Sequence, residues 1–195
     1  MAVVSIKNKL RRGNLLVGND PYIPTDFESI ATVTVGSGGA ASVTFSSIPS
    51  TYTHLQVRGI SRTENAANQA RNFRFYFNGD TASNYAFHLL RGDGSSVVAD
   101  ATANSVGVCG VSLDDSTTAS AYGAAVIDIL DYTNTNKYTT LRSLSGGDYN
   151  GGGWMSFHST LWLNTNAITS IEFYNSGAVE WKEYTTFALY GIKSA

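Results

Sequence analysis

From residue 29 onward, apolar side chains return at every second position, and no stretch carries a sustained helical period. A period of two is the signature of a strand with one face buried, because successive side chains point to opposite sides of a sheet. In "NFRFYFNGD" Phe73, Phe75 and Phe77 share one face, Asn72, Arg74 and Tyr76 the other, and Asn78-Gly79 supplies a turn. "HLQVRGI" sets Leu55 and Val57 against His54, Gln56 and Arg58. A chain built this way buries apolar surface by closing one sheet on another. Roughly ten or more short strands with Gly, Asn and Asp turns therefore predict a β-sandwich of jelly-roll type.

Several finer expectations follow. Val33 and Val35, the stretch "GSGGAA", then Val43 and Phe45 predict a hairpin. "AAVIDILDY" is apolar on both phases apart from Asp128, which predicts a central strand. In "MSFHSTLWL" the apolar phase puts Met155, Phe157, Leu161 and Leu163 inward, with His158 and Trp162 outward. Ile171 and Phe173 mark the next strand, and "TTFALYGI" the last. The longest polar loops are expected at 61–71, 91–105, 112–120 and 145–153. The 195 residues make one all-β domain over 28–195, preceded by an arm over 1–27.

Overall charge gives no argument for a nucleic-acid or membrane partner, and none is expected. Charged residues are 14% of the chain and the net charge is −2. No apolar run approaches membrane-spanning length, and Leu15-Leu16-Val17 is too short for a signal-peptide core, so synthesis in a reducing cytosol is expected. The lone Cys109 lies in "VGVCGV", as a buried, inert thiol would. His54, His88 and His158 have no second ligand at zinc spacing, and Asp114, Asp115, Asp128 and Asp131 lack the spacing of a calcium loop. G-x-S-x-G does not occur and no acid pair is marked, so no catalytic residue, metal or cofactor is expected. Arg91-Gly92-Asp93 followed by Gly94 reads as a tight turn. Tyr149, Trp154, Trp162 and Trp181 are candidates for surface or glycan contact, since aromatic rings stack on sugars; burial by a second layer or a subunit neighbour is the stronger expectation for them.

The front of the chain differs from its body. Lys7, Lys9, Arg11 and Arg12 are four of its thirteen basic residues, and no acid precedes Asp20. Asp20-Pro21 and Ile23-Pro24 disfavour helix before the first strand. With Leu10, Leu15, Leu16 and Val17 for burial and the four charges for an acidic rim, the segment suits docking on a neighbouring subunit. Four charges without interleaved aromatics make a weak nucleic-acid footprint.

The blocks "GNLLVGND", "FESIATVTVGSGGAASVTFSSIPSTYTHLQVRGISR", "FRFYFNGDTASNYAFHLLRGDGSS", "IDILDYTNTNKYTTLRSL" and the ending "FALYGIK" resemble small structural proteins of tailed bacteriophages. The resemblance spans nearly the whole chain. It implies a virion component assembled in the host cytoplasm, with other capsid or tail subunits as partners and no catalytic residues. A capsid decoration (cement) protein is the leading expectation, as a homo-oligomer with a trimer favoured. The alternative is a tail or baseplate component that meets a host glycan.

Overall fold

The computed structural model describes residues 26–64 and 70–193. The arm positions Lys7, Lys9, Leu10, Arg11, Arg12, Leu15, Leu16 and Val17 lie outside the described residues. Those residues form twelve strands and no helix. They are β1 (Phe27–Thr34), β2 (Ser42–Phe45), β3 (His54–Ser61), β4 (Ala70–Phe77), β5 (Tyr85–Gly92) and β6 (Val97–Ser105). After these come β7 (Gly107–Leu113), β8 (Gly123–Ile129), β9 (Thr139–Asp148), β10 (Gly153–Trp162), β11 (Ile171–Asn175) and β12 (Thr186–Ile192). Two antiparallel sheets make a β-sandwich. The large sheet runs β1-β12-β3-β8-β9-β10-β5-β6 and the small one β2-β11-β4-β7.

The alternation read in β3 and β4 is the one the core uses. Leu55, Val57, Phe73, Phe75 and Phe77 are buried between the sheets. Phe73 meets Phe173, Trp181 and Phe187 at ring-centroid distances of 5.2, 5.1 and 5.2 Å, which ties β4, β11 and β12 together. Each such ring removed from water contributes about 1.5–3 kcal/mol. Where the core meets the 78–84 turn, Tyr85 accepts a hydrogen bond from the Phe77 amide (3.1 Å) and donates to the Asp80 carbonyl (3.1 Å). Burial pushes its hydroxyl pKa well up, so it stays a neutral donor.

Four expectations need correction. β1 and β2 are not a hairpin: β1 pairs with β12 and β2 with β11, in different sheets. The glycine-rich stretch instead crosses between sheets, with Gly38 and Gly39 at φ +100° and +72° and Ala40 bridged to Trp181. Period two sets a strand's faces and leaves its partner open. Residues 97–105, expected as loop, form edge strand β6, where Val97 through Ala103 are all exposed. Such a strand carries no burial pattern to read. β1 starts at Phe27, opposite Ile192, so Phe27 belongs to the sheet and not to an arm.

The fourth correction is the phase of β10. Ser156, His158, Thr160 and Trp162 face inward, while Met155 and Phe157 are 60% and 53% exposed. The cause is β7, whose seven residues are all buried. Among the twelve strands it pairs with β4 alone, apart from a bridge between Leu113 and Arg62, and it packs against β8, β9 and β10 of the large sheet. An edge strand buried there needs partners for its orphan backbone groups. Ser145 accepts from the Val111 amide (3.1 Å), and Thr160 donates to the Val108 carbonyl. Gly110 lets the strands approach, for a Cβ there would lie 2.8 Å from Ser145 Oγ. Beside the larger Leu141, His158 and Trp162, the inward phase of β9 and β10 carries the short polar Ser143, Ser145, Ser156 and Thr160, and Leu144, Met155 and Phe157 take the outer phase.

Candidate interaction face on the large sheet

The outward phase forms rows that cross the sheet. Val126 on β8 stands opposite Leu144 on β9, Leu144 opposite Phe157 on β10, Phe157 opposite Leu90 on β5, and Leu90 opposite Ala99 on β6. Each of the four large side chains is exposed, Leu144 at 42%. They line a shallow trough of about 700 Å³. One row along, Asp128, Arg142, Ser159 and His88 stand in the same register, and Gln56 Nε2 donates to Asp128 Oδ1 at 2.8 Å. On the other side the row is Gly146, Met155, Gly92 and Val97. An apolar stripe is thus bordered by a polar row of both charges on one side and by a backbone-rich row on the other. Among the described residues nothing covers it.

Beyond Met155 the surface drops into a second depression of about 890 Å³, walled by glycines, Asp93, Asp148 and Trp154. Tyr149 and Trp154 pack beside it with ring centroids 5.5 Å apart, both half-buried. Of the four aromatics singled out from the sequence, these two adjoin an open surface. The other two are corrected: Trp162 is 1% exposed and Trp181 0%, so neither offers a ring to a glycan. Trp162 Nε1 donates to Asp80 (2.8 Å) and Trp181 Nε1 to the Phe173 carbonyl (3.3 Å), which satisfies both indoles inside the sandwich. Burial works against the charge on Asp80, yet its donors Trp162, Asn84 and Ala82 outweigh it and lower its pKa.

The remaining candidates have structural partners. Asp93 caps the β5–β6 turn, accepting from Ser95 and Ser96 amides and hydroxyls, which holds its carboxyl well below the usual range. Asp114 accepts from the Ser116 amide and hydroxyl in the turn after β7. Burial opposes ionisation of Asp115, but Lys182 and Arg62 override it and lower its pKa. Asp131 pairs with Lys137 and His54. Burial pushes the Cys109 thiol well up. Burial, and behind it Arg91, lowers the His158 pKa to about 4. His158 Nε2 and the Ser143 hydroxyl, cross-strand neighbours on β10 and β9, have no partner among the described residues. No group of three or more His, Cys, Asp or Glu among the described residues could hold a metal ion.

Sequence reading missed the apolar row. On β10 the apolar phase predicts its member Phe157 inward. A signal is present in Ser145 and Thr160, polar residues in the inward phase whose hydroxyls meet the β7 backbone rather than side chains. No family model matches the chain, nor does a curated protein or a solved structure.

Proposed function

We propose that this chain is a non-enzymatic structural protein of a tailed-bacteriophage virion, a capsid decoration protein held to its neighbours by the segment that precedes β1. The observation that carries this reading is the exposed apolar row Val126, Leu144, Phe157 and Leu90. A sheet face of that kind calls for protein cover, as a component built into an assembly would receive. The sequence blocks that resemble phage structural proteins point the same way. So does the strand order, which we read as an expanded jelly roll. The small sheet takes the first, last, third and sixth strands of such a fold as β2, β11, β4 and β7. In the large sheet β3, β5 and β6 take the second, fourth and fifth places, and the meander β8-β9-β10 fills the seventh.

A homo-oligomer, a trimer first, is part of this reading. Quantitative mass spectrometry of purified particles tests it. A copy number in step with the shell subunits is expected, and absence from the particles would sink the proposal. A copy number in step with a tail part would favour the second reading, contact with host glycans, whose support is the Tyr149–Trp154 pair beside the glycine-walled depression. That reading expects a host oligosaccharide to perturb Trp154 emission, and Trp154→Ala to remove the response. An unchanged spectrum at saturating oligosaccharide counts against it.

A further inference from the structure

We propose that the outer apolar row of the large sheet is where a second copy of this chain packs. This rests on the reading of the protein as an assembly component and names the surface through which copies meet. Four of the five strands that carry the row put a large apolar side chain into it, in unbroken cross-strand register. Five strands at about 4.8 Å and three rows at about 6.8 Å span roughly 500 Å² per copy, so two copies bury roughly 1,000 Å², the lower bound for a specific interface. The charges also suit a like partner. Asp128 and Arg142 are cross-strand neighbours beside the row, so the face carries both signs and a second copy can meet each with its opposite. Edge strand β6 extends the same surface through Ala99 and Val97.

Light scattering of the full chain at micromolar concentration reads this directly. The expected mass is at least twice 20.9 kDa. Phe157→Asp, and separately Leu144→Lys, should return it to the single-chain value and raise the dissociation constant about a hundredfold or more, since a charge is forced into the centre of the contact. Both side chains are exposed, so the variants should keep the wild-type circular dichroism spectrum and a cooperative transition, with a thermal midpoint that matches wild type diluted to the single chain. Thr44→Asp, on the outer face of the small sheet, should leave the mass unchanged. A wild-type chain that is monomeric, or an oligomer that survives both face variants, overturns the proposal. So does dispersal by Leu15→Asp with Leu16→Asp in the full chain, because the occupant is then the N-terminal segment and not the row of a second copy. None of these outcomes depends on phage particles, so copy counting judges the virion reading separately.

Discussion

At the scale of single residues, the buried polar groups carry the clearest predictions. Arg62 is 2% exposed and holds the 114–122 loop with its whole guanidinium. Nε donates to Asp115 (2.8 Å), Nη1 to Thr117 Oγ1 and to the Thr118 and Ala121 carbonyls, and Nη2 to the Thr117 carbonyl. Arg62→Leu strands those acceptors, and the expected loss in urea unfolding is about 3 kcal/mol or more. Arg62→Lys should recover little, because a point charge cannot replace the planar fork. His158 predicts a pH dependence. Its pKa falls from 6.5 to about 4 on folding, so the unfolded chain binds the proton more tightly. Its contribution to stability is complete above pH 6.5, declines as the pH falls towards 4, and is flat below that. The full change is on the order of 3 kcal/mol. His158→Gln should flatten the thermal midpoint over that window, and a wild-type slope that survives the substitution would refute the assignment.

At the scale of strands, β7 explains both what was legible and what was not. In β3 and β4 the partner surface is other side chains, so hydrophobic and inward coincide and the alternation reads correctly. In β9 and β10 part of the partner surface is the β7 backbone, and Ser145 and Thr160, which meet it, are short and able to hydrogen bond. In β10 the period of two was legible, but its sign was not. β1 and β2 show the same limit from another side, since alternation places a strand's faces without naming its neighbour. Ser145→Ala should cost about 1–3 kcal/mol by leaving the buried Val111 amide without an acceptor. Thr160→Val removes the donor to Val108 and should cost a similar amount. Hydrogen exchange should show the loss concentrated in β7. Uniform loss across both sheets would mean these hydroxyls do not hold that strand.

At the scale of the molecule, the sandwich and the segment before it are expected to separate cleanly. β1 enters the sheet at Phe27, where the Lys193 amide donates to the Asp26 carbonyl (2.9 Å) and Lys193 Nζ reaches Glu28 (3.1 Å). These contacts survive a cut after residue 25, so the shortened chain should fold with a thermal midpoint within a few degrees of the parent. On the proposed virion reading, the cut should also abolish attachment to the particle, because residues 1–25 hold the densest positive charge together with Leu10, Leu15, Leu16 and Val17. The two contributions can be measured apart. Replacing Lys7, Lys9, Arg11 and Arg12 by Ser should slow association and weaken its salt dependence, since rim charges steer encounter. Replacing the four apolar residues by Ser should instead speed dissociation, at about 1.5–3 kcal/mol for each side chain fully buried in the complex. Unfolding of the shortened chain would make the segment part of the sandwich. Full occupancy by a folded, shortened chain would move the docking surface onto the sandwich and refute the anchoring role of the segment.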